Sequence, residues 1–295
     1  MTTLDTRQST GVPALDDLLG GGLRPGSLTV ILGATGIGKT QLGLQFANAG
    51  LAQDSRRGVV FDMSSRGDPQ SHASYADRMF QWRMSPVPAD VRPDLQGFFA
   101  ADRFVGDYLH VFDYRGQRVN RRDLEWEAWQ EWQGQLNARL QNAIAFLYGN
   151  FVRGVRRVVV DGIEPVDRPG ESIQFNLFEY LYHQILRKDP EWVARDLFRE
   201  KYLANAAAAR DHLYDVGAVG CVLLATSHET MLDELISRPL AEGDVLSNAN
   251  TLILMGKIRD GLEIRRGLYV AKHRGSACAD RIAPYEITEH GLRLV

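Results

Sequence analysis

Cysteine is scarce, with only Cys221 and Cys278 in 295 residues. Two isolated cysteines build neither a disulfide framework nor a cysteine-based zinc site. Cys221, inside an apolar run, reads as a small core residue. A strong net charge is also missing. Against 37 acidic side chains stand 34 Lys and Arg, a balance of −3, so no global basic field marks nucleic acid as a partner, although a local basic patch stays open. No apolar run reaches the length of a membrane span. Met1 to Thr10 is polar and has no apolar h-region, so no secretory signal peptide is expected, and a reducing cytoplasm is the expected compartment. What is present, 44% hydrophobic and 24% charged residues, is the make-up of a globular protein long enough to bury a substantial core.

The stretch Gly33-Ala34-Thr35-Gly36-Ile37-Gly38-Lys39-Thr40 fills every fixed position of the G-x-x-x-x-G-K-[ST] pattern. Its flanks suit it. Ser27 to Leu32 is a short apolar, partly β-branched run that reads as a buried strand, and Leu42, Phe46 and Ala49 follow at helical spacing. Glycines let successive backbone N–H groups turn into one concavity. The next helix adds its N-terminal N–H groups and the positive end of its dipole. Gly33, Ala34, Thr35, Gly36, Ile37, Gly38, Lys39, Thr40 and Gln41 are therefore the expected phosphate cradle. Lys39 would serve the β- and γ-phosphates, and the Thr40 hydroxyl would serve Mg²⁺. Further on, Arg156-Arg157-Val158-Val159-Val160-Asp161 is a buried parallel strand with a carboxylate at its C-terminal edge. After a P-loop, that places Asp161 on the Mg²⁺ side of Thr40. Glu164 lies close behind, either as a solvated loop carboxylate or as a catalytic one.

The rest of the chain reads as alternating strands and helices. Val12, Leu15, Leu18 and Leu19 share a helical stripe ended by Gly20 to Gly22. Asp68-Pro69 is a helix start, with Tyr75, Met79 and Trp82 as the apolar stripe. Met84 to Pro93 is proline-rich loop, Tyr108 to Asp113 a short strand, and Arg115 to Arg122 a basic connection. Trp126, Trp129 and Trp132 fall near one helical face. They read as a buried face, with a partner-docking or base-stacking surface as the alternative, and the interleaved glutamates argue against nucleic acid. Leu136 to Val152 is helical, Gly170 to Val216 is helical with a break near Asp189-Pro190, Gly220 to Glu229 is a strand with a polar end, and Leu246 to Val270 is an antiparallel pair around Asp260-Gly261.

The run Thr10-Gly11…Leu15-Asp16…Leu19-Gly20-Gly21-Gly22-Leu23…Gly26-Ser27 leading into the P-loop resembles the RecA-like ATPases of the KaiC/RadA group, KaiC most closely. The likeness extends over nearly the whole chain, good at the motifs and weak between them. It implies an α/β fold: one RecA-like domain over 1–295, a mainly parallel sheet flanked by helices, C-terminal antiparallel strands, and longer helical insertions near 85–135 and 165–215. It implies ATP and Mg²⁺ as ligands. It also marks a departure. In KaiC-like relatives the strand corresponding to Arg57–Ser65 ends in two adjacent glutamates, and in RadA- and RecA-like relatives in Asp-x-Glu, whereas this chain reads Asp62-Met63-Ser64-Ser65. Ser64 falls on the water-activating glutamate, and a serine hydroxyl is too weak a base to replace it. Asp62 lies on the same face about 7 Å further back; it and Glu164 are the carboxylates left to stand in. By the same resemblance Thr226 or Ser227 senses the γ-phosphate. Lys272 and Arg274, in Lys272-His273-Arg274-Gly275-Ser276, match the cations that reach a neighbouring subunit's γ-phosphate in a homo-oligomer, expected here as a hexameric ring; the alternative is a solvated pair on an edge strand. Tyr285-Glu286-Ile287-Thr288…Gly291 continues the match. The expected function is ATP binding with slow or conditional hydrolysis that gates assembly and an unidentified protein partner. Two rivals stand beside it: an ATP-binding scaffold without turnover, and a DNA-dependent recombination or repair paralogue.

Overall fold

The computed structural model describes residues 7–64, 72–88, 93–112, 126–164, 172–238 and 248–295. Its centre is a run of continuously apolar strands: β1 (Leu28–Gly33), β2 (Val59–Asp62), β5 (Arg157–Ile163) and β6 (Gly220–Thr226). Strands of this composition need cover on both faces, which a parallel sheet between helices supplies. With β3 (Pro86–Val87), β4 (Tyr108–His110), β7 (Thr251–Asp260), β8 (Glu263–His273), β9 (Ala283–Thr288) and β10 (Gly291–Leu294), they form a ten-stranded sheet in the order β10-β9-β8-β7-β1-β6-β5-β2-β4-β3. From β3 to β7 every neighbouring pair is parallel; from β7 to β10 every pair is antiparallel. The hairpin at Asp260-Gly261 is the β7–β8 turn.

Because successive strand residues face opposite sides, each strand feeds two cores. Val30, Leu32, Phe61, Val160 and Leu223 meet α4 (Trp126–Phe151), α5 (Ile173–Leu181) and α6 (Pro190–Phe198) on one side. Ile31, Val60, Val159, Val222 and Leu224 meet α1 (Pro13–Leu18), α2 (Lys39–Gln53), α3 (His72–Phe80) and the β9–β10 hairpin on the other. Cys221 lies fully buried in β6, where burial pushes its thiol up to about 12.

Two sequence expectations change. The two helical stretches around 126–132 and 136–152 are one 26-residue helix, α4. The span 85–112, placed within a helical insertion, carries β3, β4 and turns in its described part; Pro86, Pro88, Gly97 and Gly106 deny it a helical run. The region 172–216 is helical and, as the sequence indicates, broken at Asp189-Pro190. A π-helical turn (Tyr182–Leu186) follows α5, Asp189 caps α6 with Pro190 in its first turn, and α7 (Tyr202–Asp211) ends it. Ser65, the Asp68-Pro69 helix start, Asp113 and Arg115 to Arg122 lie outside the described residues, as do the side chains of Trp126, Trp129 and Trp132. Among the described residues no helix is long and apolar enough to cross a membrane.

Candidate nucleotide site

Strand β1 ends at Gly33 and helix α2 begins at Lys39, so the glycine-rich turn sits where a central parallel strand hands over to a helix. Gly36 and Gly38 have φ of 76° and 103°, left-handed conformations that suit glycine. Gly33 is held by its neighbour: a Cβ there would stand 2.3 Å from the Met255 carbonyl oxygen of β7. The Lys39 ammonium donates to the Gly33 and Ala34 carbonyls, 2.8 Å each, closing the turn on itself. Burial pulls this ammonium down to about 8, with Asp161 acting in the opposite direction. Gln41 is buried in the first turn of α2.

The second half of the site comes from the neighbouring strand tips. Asp62 of β2 and Asp161 of β5 are direct register partners. Thr40 Oγ1 donates to Asp161 Oδ2 at 2.8 Å, which joins the P-loop helix to β5. Burial pushes the Asp161 carboxyl up, but His72, Thr40 and Lys39 together outweigh it and hold the group below the usual carboxylate range. Asp62 is used differently. Its Oδ1 accepts the Ser64 N–H at 2.8 Å, and its Oδ2 accepts the Tyr108 hydroxyl at 2.6 Å. Burial and the Asp62 carboxylate both raise the Tyr108 phenol, so it stays a donor.

Sequence reasoning missed His72. From the first turn of α3 it bridges both carboxylates, with Nε2 2.9 Å from Asp161 Oδ2 and Nδ1 3.5 Å from Asp62 Oδ2. Gln174 was missed as well. Its amide donates to the Met63 carbonyl at 2.7 Å and accepts the Glu164 N–H at 3.1 Å, tying the β2 tip to the β5 tip. Tyr108 was read only as part of a strand. Each acts through tertiary contacts that carry no local spacing signal.

Thr226 pairs in register with Gly33, beside the P-loop, and the buried Ser227 donates its N–H to the Gly33 carbonyl at 3.1 Å. Lys272 and Arg274 lie elsewhere. Gly33 is level with Met255 on β7, while Lys272 is level with Leu252, and the Arg274 N–H donates to the Asn250 carbonyl. Three to five strand residues put them about 10–17 Å along the sheet from their own P-loop, towards the opposite edge.

Among the described residues no cluster of three or more His, Cys, Asp or Glu could hold a metal ion by itself. One hydroxyl and one carboxylate, Thr40 and Asp161, do fit Mg²⁺, which keeps waters and shares its remaining positions with phosphate oxygens. The glycine turn with its buried lysine fits the phosphates themselves. A parallel sheet that carries a P-loop on its central strand and acidic tips on the neighbouring strands has the layout of a P-loop nucleotide site.

Comparison with known proteins narrows the class. The family model of the KaiC ATPase matches residues 8–82. The circadian clock protein KaiC2 of Synechocystis is 28% identical over 157 residues, 52% of this chain and 22% of the relative. The circadian clock oscillator protein KaiC of Prochlorococcus marinus is 25% identical over 193 residues, 60% of this chain and 37% of the relative. A KaiC-like protein from the hyperthermophilic archaeon Pyrococcus horikoshii shares the fold over 98% of both chains, with a TM-score of 0.52 and 15% identity. The chain is thus similar to the KaiC ATPases in its N-terminal segment and shares its overall fold with the KaiC-like protein. The matched segments cover little more than a third of the curated relatives at most.

Proposed function

We propose that this protein binds ATP with Mg²⁺ and hydrolyses it slowly, within a ring-like homo-oligomer whose assembly or shape the nucleotide controls. The observation that carries the reading is the pairing of a complete phosphate and metal end with an altered water end. Lys39, Thr40 and Asp161 are joined at one sheet edge. The β2 tip that follows Asp62 offers only Met63 and Ser64 among the described residues. Bound Mg²⁺ would neutralise phosphate charge. Around it the chain's own groups have separate tasks. Lys39 and the P-loop amides hold the β- and γ-phosphates. Thr40 and Asp161 hold the metal. Thr226 stands beside Gly33 as the γ-phosphate sensor. Asp62 is engaged with Tyr108, Ser64 and His72, which makes it an organiser of the strand tip before it is a base.

The stand-in carboxylates Asp62 and Glu164 supply the residual turnover in this reading. Lys272 and Arg274, remote from their own P-loop, would serve the γ-phosphate of an adjacent copy. A scaffold without turnover is the second reading, favoured by Ser64 itself. Nucleotide binding and ATP turnover on the purified chain separate the two. Lys39→Ala should abolish Mg²⁺-dependent ATP binding. Ser64→Glu, which restores a carboxylate at the strand tip, should raise turnover by about 10²-fold or more, the size of a general-base contribution. Unchanged turnover in Ser64→Glu would remove Ser64 from the water-activating position.

A further inference from the structure

The C-terminal hairpin touches the P-loop at one polar point. Tyr285 of β9, buried, donates its hydroxyl to the Ile37 carbonyl at 2.7 Å. Next to it, Ile287 Cδ1 would lie 3.0 Å from a Cβ on Gly38, so β9 is pressed against the same peptide. The hairpin is fixed in turn on the P-loop helix. Gln45 donates to the Leu292 carbonyl at 3.0 Å and accepts the Leu292 N–H at 2.8 Å. Gly291, with φ of 106°, lets the strand pass over Gln45, where a Cβ would meet the amide at 2.8 Å.

A trans peptide unit is planar, with its C=O and N–H on opposite sides. The Ile37 carbonyl and the Gly38 N–H belong to one such unit. When Tyr285 holds the carbonyl on β9, the Gly38 N–H is turned to the other side of the loop. In a P-loop the successive amide N–H groups are what grip the phosphates. We propose that Tyr285 is a positioning residue for nucleotide binding: its hydroxyl, supplied from the far end of the chain, aims the Gly38 amide of the phosphate cradle. This rests on the nucleotide-binding reading above and deepens it. It makes the Tyr285 side chain part of the site although that side chain need touch no ligand. By reciprocity, a ligand that settles the loop must also settle the hairpin.

The test uses the full chain and Mg²⁺ with ATP or ADP. Tyr285→Phe keeps the buried ring and removes only the hydroxyl. Thr288→Val is the control: it removes a hydroxyl-to-carbonyl bond in the same hairpin, Thr288 Oγ1 to the Gly291 carbonyl. Tyr285→Phe should weaken ATP and ADP about tenfold, the effect of one buried hydrogen bond and its orphaned acceptor, while Thr288→Val stays within about twofold of the unsubstituted chain. In the unsubstituted chain, hydrogen exchange across 283–294 should slow when Mg²⁺-ATP is added, a readout that needs no variant. Equal affinity in Tyr285→Phe, equal weakening in both variants, or exchange in the hairpin indifferent to ATP would each overturn the positioning role. An unsubstituted chain without affinity for ATP would instead overturn the nucleotide-binding reading, and this role with it.

Discussion

At Gly162 the backbone decides the shape of the site. This residue follows Asp161, has φ of 93°, and lies under the β2 tip: a Cβ on it would stand 2.2 Å from the Ser64 nitrogen. The β5 register against β6 shifts between Val160 and Ile163, across the same residue. The irregularity lets Ser64 pass close over β5 while Asp62 and Asp161 remain side by side. Gly162→Ala imposes both a left-handed Cβ and a collision with backbone, so stability should fall by about 3 kcal/mol. Urea unfolding measures it, and a loss under about 1 kcal/mol would mean that the strand tips separate easily. The chemistry-bearing residues at this scale were partly legible. Lys39, Thr40 and Asp161 announce themselves through a fixed motif and a strand-end carboxylate. His72 does not, because its partners stand on two other strands and a lone histidine in polar sequence has no period.

Among elements, Arg157 shows how a local pattern can be correct and incomplete. The run from Arg156 reads as a buried strand, and it is one, yet Arg157 is the largest fully buried side chain among the described residues. The guanidinium donates to Asp54 at 2.8 Å, to the Phe46 carbonyl at 3.0 Å, to the Ser9 carbonyl at 2.6 Å and to Gln53, and it lies 4.8 Å from the Phe46 ring centroid. Burial lowers its affinity for the proton, with Asp54 acting in the opposite direction. One cation thus joins the N-terminal arm, the end of α2 and the start of β5. Sequence spacing shows strands and helices because their periods are local; a staple between them is set by tertiary placement and leaves no period. Arg157→Met keeps the apolar volume but takes the guanidinium from the Ser9 carbonyl and from Asp54. Removing one partner of a buried pair costs about 3 kcal/mol, somewhat less here because Asp54 is partly exposed. Thermal unfolding should show the loss, and limited proteolysis should show earlier cutting near residues 7–12. A chain as stable as the original, with an equally protected arm, would assign the staple no role.

At the scale of the whole molecule, the decisive placement is that of Lys272 and Arg274. The β7–β8 pairing leaves Lys272 opposite Leu252, while the P-loop strand ends opposite Met255. Among the described residues, β9 pairs with β8 only over Arg266–Leu268. Strand geometry therefore keeps both cations away from the P-loop of their own chain, and in the proposed oligomer a second copy would bring them to one. Burial and the neighbouring Arg274 lower the affinity of Lys272 for its proton. Two consequences separate this from a solvated surface pair. The mass of the protein by light scattering should rise when Mg²⁺ and ATP are added. Lys272→Ala should reduce turnover about 10²-fold or more while ATP affinity holds within about threefold, because a transition-state cation acts on the rate. Complementation is the stricter measurement. Lys39→Ala and Lys272→Ala chains, each nearly inactive alone, should regain activity when mixed, since an intact Lys272 on the first then faces an intact P-loop on the second. If mixed assemblies form and stay inactive, the cations act on something other than a neighbour's phosphate.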